Sequence, residues 1–129
     1  MTRIFILDDH TILRSALRLL LELEEDLEVV GEAGNIVEAT ALLPQVQADV
    51  CLVDLTLTDG TGLDFVHQMK PQLQQVRFLA LTMHDEEKFL LAFLQPKQIL
   101  EVGTAIGFSA LLMSEYAPLD CHITTIDYY

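Results

Sequence analysis

Three aspartates are the side chains of this 129-residue sequence whose type and placement point most directly to chemistry. Asp8 and Asp9 follow an apolar run from Arg3 to Leu7, and Asp54 closes a second run that begins at Asp49. If these runs are neighbouring parallel strands, the three carboxylates converge on one rim. Two such charges about 4 Å apart repel by roughly 4 kcal/mol at an effective dielectric near 20. A proton or a cation has to relieve that repulsion. Mg²⁺, hard and oxygen-seeking, is the natural cation for a few carboxylates and several waters. An aspartate beside it can attack a phosphoryl group. A second pattern lies further on, where Gly103 and Gly107 sit in a turn between an apolar run and a helical one, and Asp127 ends the next apolar run. Such a turn lets backbone and ligand approach closely, a helix start offers free N–H groups, and an acidic residue can hold ribose hydroxyls. His10, His67, His84 and His122 are scattered, pair with no Ser or Cys at a recognisable spacing, and read as surface or loop histidines.

The elements that must position these groups alternate along the whole chain. Arg3 to Leu7 reads as a strand and Thr11 to Glu25 as a helix, with Ile12, Leu13, Ala16, Leu17, Leu20 and Leu23 on one face. Leu27 to Gly31 is a second strand. Asn35 opens a helix with Glu38 at capping-box spacing, and Pro44 helps to end it. Asp49 to Asp54 is a third strand, followed by the turn Thr58-Asp59-Gly60-Thr61-Gly62 and a helix carrying Leu63, Val66 and Met69. Val76 to Thr82 is a fourth strand, and Asp85, Glu86 and Glu87 favour a helix start. Gln98 to Val102, Gly107 to Tyr116 and Ile123 to Asp127 complete a fifth strand, a helix and a sixth strand. This alternation predicts an α/β, three-layer, doubly wound parallel sheet of flavodoxin-like order 2-1-3-4-5, with the sixth strand added at one edge. Ligand sites then lie at the C-terminal ends of the strands.

Composition narrows the function classes. Twenty acidic and seven basic residues give a net charge of −13, which argues against a nucleic-acid-binding surface. No run reaches the roughly 20 apolar residues of a membrane span. Two aspartates follow closely on the N-terminus, which argues against export, and two cysteines suit a reducing cytoplasm. The expectation is one cytoplasmic domain covering residues 1–129.

The runs Ile4-Phe5-Ile6-Leu7-Asp8-Asp9-His10, Leu52-Val53-Asp54-Leu55, Asp59-Gly60-Thr61-Gly62-Leu63 and Leu79-Ala80-Leu81-Thr82 are long and specific. Through them residues 1–93 resemble the receiver domain of two-component response regulators, in the subfamily fused to helix-turn-helix output domains. The resemblance implies that Asp54 is the phosphoacceptor and that Asp8, Asp9, Asp54 and the Thr56 carbonyl hold Mg²⁺. It also implies that Thr82 is the switch hydroxyl and that a histidine kinase or a small phosphodonor is the partner. Two departures stand out. The family's lysine at the end of strand five is missing from Glu101-Val102-Gly103-Thr104, with Lys97 before the strand, and Ile99 fills the aromatic switch position.

Residues 96–129, through QILEVGTAIGFSALLMSEYA and HITTIDYY, resemble the start of the Rossmann-like domain of S-adenosylmethionine-dependent O-methyltransferases. That resemblance implies Glu101, Gly103 and Ser109 beside the methionine end of the cofactor and Asp127 at its ribose, with Gly107 also among the cofactor-binding residues. It covers about a quarter of such a domain, so S-adenosylmethionine binding and turnover are not expected. Taken together, the two resemblances suggest a constructed single-sheet chimera. Its physiological activity would be nil, and a receiver-type Mg²⁺ and phosphoacceptor site would remain. The alternatives are a vestigial nucleoside-binding module and a natural receiver phosphorylated on Asp54. The unprotected sixth strand allows either a monomer or an edge-paired dimer.

Overall fold

The computed structural model describes residues 1–81, 97–102 and 119–126. It divides into two compact units, Met1–Leu81 and Thr82–Tyr129, each taken by itself below.

In the first unit, strand β1 (Thr2–Leu7) leads to helix α1 (Thr11–Leu21), strand β2 (Leu27–Ala33) and helix α2 (Ile36–Leu42). After a 3₁₀ turn at Leu43–Gln45 come β3 (Val50–Asp54), a two-strand hairpin of β4 (Thr56–Leu57) and β5 (Gly60–Thr61), helix α3 (Gly62–Met69) and β6 (Arg77–Leu81). The sheet order is β2-β1-β3-β6, parallel throughout, with Leu7 opposite Val53 and Val53 opposite Ala80. This is the 2-1-3-4 part of the expected order. A register shift between Ile4 and Phe5 leaves Val30 without a counterpart on β1.

Alternate residues of the central strands serve opposite faces, as the strand period requires. Phe5, Leu7, Cys51 and Val53 pack with Ala39, Leu43, Phe65 and Met69 from the α2 and α3 side. Ile4, Ile6 and Leu52 pack with Leu17 and Leu21 of α1. Helices therefore cover both faces, and the fold is the doubly wound α/β arrangement. Cys51 is fully buried, and burial pushes its thiol up to about 12, so it serves as packing rather than as a nucleophile.

Local chemistry accounts for most element ends. Asn35 Oδ1 accepts from Glu38 N at 2.8 Å, the cap that the spacing announced, while Glu38 Oε2 reaches one residue further back and accepts from Gly34 N at 3.0 Å. Thr61 Oγ1 caps α3 through Asp64 N at 3.2 Å. Helix α1 stops at Leu21, four residues short of the expected end. Glu22, Glu24, Glu25 and Asp26 crowd the negative end of its dipole, and the chain tightens through Leu23 N to Leu20 O and Glu24 N to Leu21 O. Its apolar face is also wider than the sheet can cover. Leu17 and Leu21 turn inward, whereas Ile12, Leu20 and Leu23 are exposed, contrary to the single buried face expected from the 3–4 spacing.

In the second unit, β7 (Gln98–Val102) and β8 (His122–Ile126) pair in parallel, from Gln98 opposite His122 to Val102 opposite Ile126. These are the expected fifth and sixth strands, paired with each other as expected. The helices expected after Thr82 and after Gly107 lie outside the described residues.

Candidate metal and phosphoacceptor site

The pairing of Leu7 with Val53 brings the ends of β1 and β3 side by side, and the residues that follow converge there. Asp8, Asp9, His10 and Asp54 each offer a ligand atom, and these atoms lie within 4.8 Å of one another. The Asp8 side chain is 2% exposed, Asp9 and Asp54 are 19% and 18% exposed, and His10 stands out at 70%.

Each carboxylate is held differently. Asp8 Oδ1 accepts from His10 N at 2.8 Å, and the Asp8 carbonyl accepts from the Arg14 guanidinium, which also pairs with Glu32 at 3.5 Å. Asp54 Oδ1 accepts from Thr56 N at 3.1 Å, which leaves Oδ2 on the shared side. Asp9 Oδ1 is buried and has no hydrogen-bond partner among the described residues. His10 Nδ1 lies 3.0 Å from it, close enough for charge attraction when the ring is protonated. The same nitrogen is 3.2 Å from Asp8 Oδ1 and 3.8 Å from Asp54 Oδ2. A single ring nitrogen thus stands where three carboxylates could share a cation.

Removal from water pushes the Asp54 carboxyl above its ordinary range, and the charges of Asp8 and Asp9 add to the rise. The Thr56 N–H and His10 oppose it. A buried carboxylate oxygen without a donor, among two further carboxylates, suits a hard divalent ion with oxygen ligands. The residues therefore fit Mg²⁺, the ion expected from the sequence. His10 is the member that sequence reading set aside as an ordinary loop histidine. Its adjacency to Asp8 and Asp9 was the available signal.

Of the other expected site residues, Thr56 and Glu101 lie among the described residues. Thr56 opens β4, directly after the acceptor loop starts. Glu101 belongs to β7, where its backbone is opposite Thr125. Thr82, Gly103, Gly107, Ser109 and Asp127 lie outside the described residues.

Residues 4–99 match the response regulator receiver domain model, and the chain belongs to that family. Among its relatives are the DNA-binding transcriptional activator DevR/DosR of Mycobacterium tuberculosis and the oxygen regulatory protein NreC of Staphylococcus carnosus. The first is 35% identical over 91 residues, 70% of this chain and 42% of that protein. The second is 35% identical over 89 residues, 68% of this chain and 41% of that protein. The chain spans less than half the length of these curated relatives. Among solved structures, the isolated REC domain of RcsB from Salmonella enterica serovar Typhimurium, in the presence of the phosphomimetic BeF₃⁻, is 28% identical with a TM-score of 0.68. It covers 76% of this chain and 75% of that one. A structure of two RcsB dimers bound to two parallel DNAs, 25% identical with a TM-score of 0.69, covers 92% of this chain and 65% of that one.

These comparisons support the receiver reading rather than the chimera reading. The family match runs through the expected seam at Gln95-Pro96-Lys97-Gln98, and neither a constructed origin nor a methyltransferase part for residues 96–129 finds support. The same holds for S-adenosylmethionine. A strand, a glycine turn and a helix start recur throughout parallel α/β units, so that pattern cannot separate one such family from another. No helix among the described residues is long and apolar enough to cross a membrane.

Proposed function

We propose that this chain is a phospho-accepting receiver in which Asp54 is the nucleophile and Asp8, Asp9, Asp54 and the Thr56 carbonyl hold Mg²⁺. The observation that carries this reading is the convergence of three carboxylates within 4.8 Å, one with a buried, unpartnered oxygen. Bound Mg²⁺ would neutralise charge on the incoming phosphoryl group. The chain's own part is positional. The Thr56 N–H holds one oxygen of Asp54, and the other faces the shared space. That oxygen attacks phosphorus as the bond from phosphorus to the donor's leaving group breaks, which gives an acyl phosphate on Asp54. Thr82 is the hydroxyl that would follow the modification. A histidine kinase or a small acyl phosphate is the donor, and the reaction is one transfer per chain rather than turnover. The wider roles of the longer relatives, including the DNA binding in the name of DevR/DosR, are proposals for any larger protein that carries this receiver.

Acetyl phosphate with and without Mg²⁺, followed by peptide mass spectrometry, tests the assignment. The expected result is an Mg²⁺-dependent adduct on Asp54 that is absent from Asp54→Asn. An adduct on another residue, or labelling indifferent to Mg²⁺, would overturn it.

A further inference from the structure

Asp59 is an exposed carboxylate in the turn of the β4–β5 hairpin, five residues past the proposed acceptor, and both of its oxygens are engaged on a different element. Asp59 Oδ1 accepts from Ile36 N at 2.9 Å and Oδ2 from Val37 N at 3.1 Å, across 23 and 22 residues of sequence. These two N–H groups belong to the first turn of α2, where no partner exists within the helix itself. Asn35 supplies the remaining caps, its side chain to Glu38 N and its carbonyl to Ala39 N. The first turn of α2 is therefore satisfied only because the hairpin completes it.

The hairpin is as closely fitted to α2 as it is bonded. Gly60 adopts φ 153°, a conformation that L side chains rarely take, and a Cβ there would stand 2.9 Å from Ile36 Cδ1. Leu57 anchors the preceding strand in the core, and Gly62 N donates to Leu55 O at 2.9 Å to close the loop. Between these fixings sits Thr56, opposite Thr61 across the hairpin, with its N–H on Asp54 Oδ1. Leu57 and Gly62 hold the loop's two ends, and Asp59 ties its tip to α2.

We infer that Asp59 is a positioning residue, which ties the acceptor hairpin to α2 and so sets the geometry of Thr56 and Asp54 in the metal and phosphoacceptor site. The inference rests on the function proposed above for that site and adds a residue outside its ligand set. Loss of the tether frees the tip, and the Thr56 end of the hairpin loses its fixed approach to Asp54. Partners that orient metal ligands without touching the metal commonly cost 10- to 100-fold in affinity when removed. An exposed tether belongs at the low end, about tenfold.

The test measures the Mg²⁺ dissociation constant by calorimetry in the parent, Asp59→Ala, Asp59→Asn and Asn35→Ala, together with amide exchange at residues 55–61 in metal-free buffer. Asp59→Ala should bind Mg²⁺ about tenfold more weakly and exchange faster at Thr56 and Leu57. Asp59→Asn, which keeps one acceptor oxygen, should fall between it and the parent. Asn35→Ala removes a cap from the same helix without touching the hairpin, so it should lower the melting temperature yet leave the affinity at the parent value. Parental affinity in Asp59→Ala, or an equal loss in Asn35→Ala, would overturn the inference. A parent that takes up no Mg²⁺ would overturn the metal-site reading instead. The exchange comparison would then decide the tether, with unchanged protection in Asp59→Ala refuting it.

Discussion

Replacing Asp54 with Asn should stabilise the metal-free protein and remove its response to Mg²⁺. The ligand atoms of the rim lie within 4.8 Å of one another, and two unit charges at that separation repel by about 3.5 kcal/mol at an effective dielectric of 20 and about 0.9 in bulk water. Asp54 is partly exposed and His10 offsets some of the charge, so the gain should sit toward the lower figure, about 1 kcal/mol. Asn keeps an oxygen for the Thr56 N–H, so the loop hydrogen bond survives and the comparison isolates charge. Mg²⁺ at 100 times its dissociation constant adds about 2.7 kcal/mol to a protein that binds it only when folded. For 129 residues at about 2.1 cal/mol/K each, that is a rise of about 10 °C in melting temperature, against about 4 °C for the substitution in EDTA. Thermal melts of both proteins in EDTA and in saturating Mg²⁺ give all four values. An Asn variant no more stable than its parent in EDTA would show that the carboxylates do not repel as their spacing requires. An undiminished Mg²⁺ shift in the variant would place the ion elsewhere.

Further outcomes follow from other contacts. Gly62→Ala should cost about 2 kcal/mol by urea denaturation, because its Cβ would meet the Asp54 carbonyl carbon at 3.0 Å and overlap the carbonyl oxygen, neither of which can rotate away. A variant as stable as the parent would mean that the helical preference for Ala outweighs this clash. The Arg3 guanidinium, with the Arg3 N–H, holds the Asp49 carboxyl at about 2, below its ordinary 3.8. A depressed carboxyl contributes stability above its unfolded value, and that contribution is lost as pH falls from about 4 toward 2. Arg3→Gln should flatten this part of the stability profile, and an unchanged acid limb would show that the pair contributes nothing to it.

The layers of the fold and the carboxylate rim were legible in the sequence because they rest on local signals. Strand period, apolar runs ending in Asp8, Asp9 and Asp54, and the Asn35 to Glu38 spacing each act within a few residues, and right-handed crossovers then leave few sheet orders. At Gly103 and Gly107 the same local pattern is shared by many α/β units, and the family reading drawn from it finds no support. Locality misled on α1, where spacing defines an apolar face but not how much of that face a sheet will cover. What tertiary structure alone decided are the meetings of distant residues. His10 comes within 3.8 Å of Asp54 only because β1 and β3 are neighbours. The tip of the hairpin at 56–61 is held through Asp59 by two N–H groups of a helix more than twenty residues earlier. An exposed Asp beside a glycine reads locally as turn chemistry, and its partners are set by packing that no local pattern records.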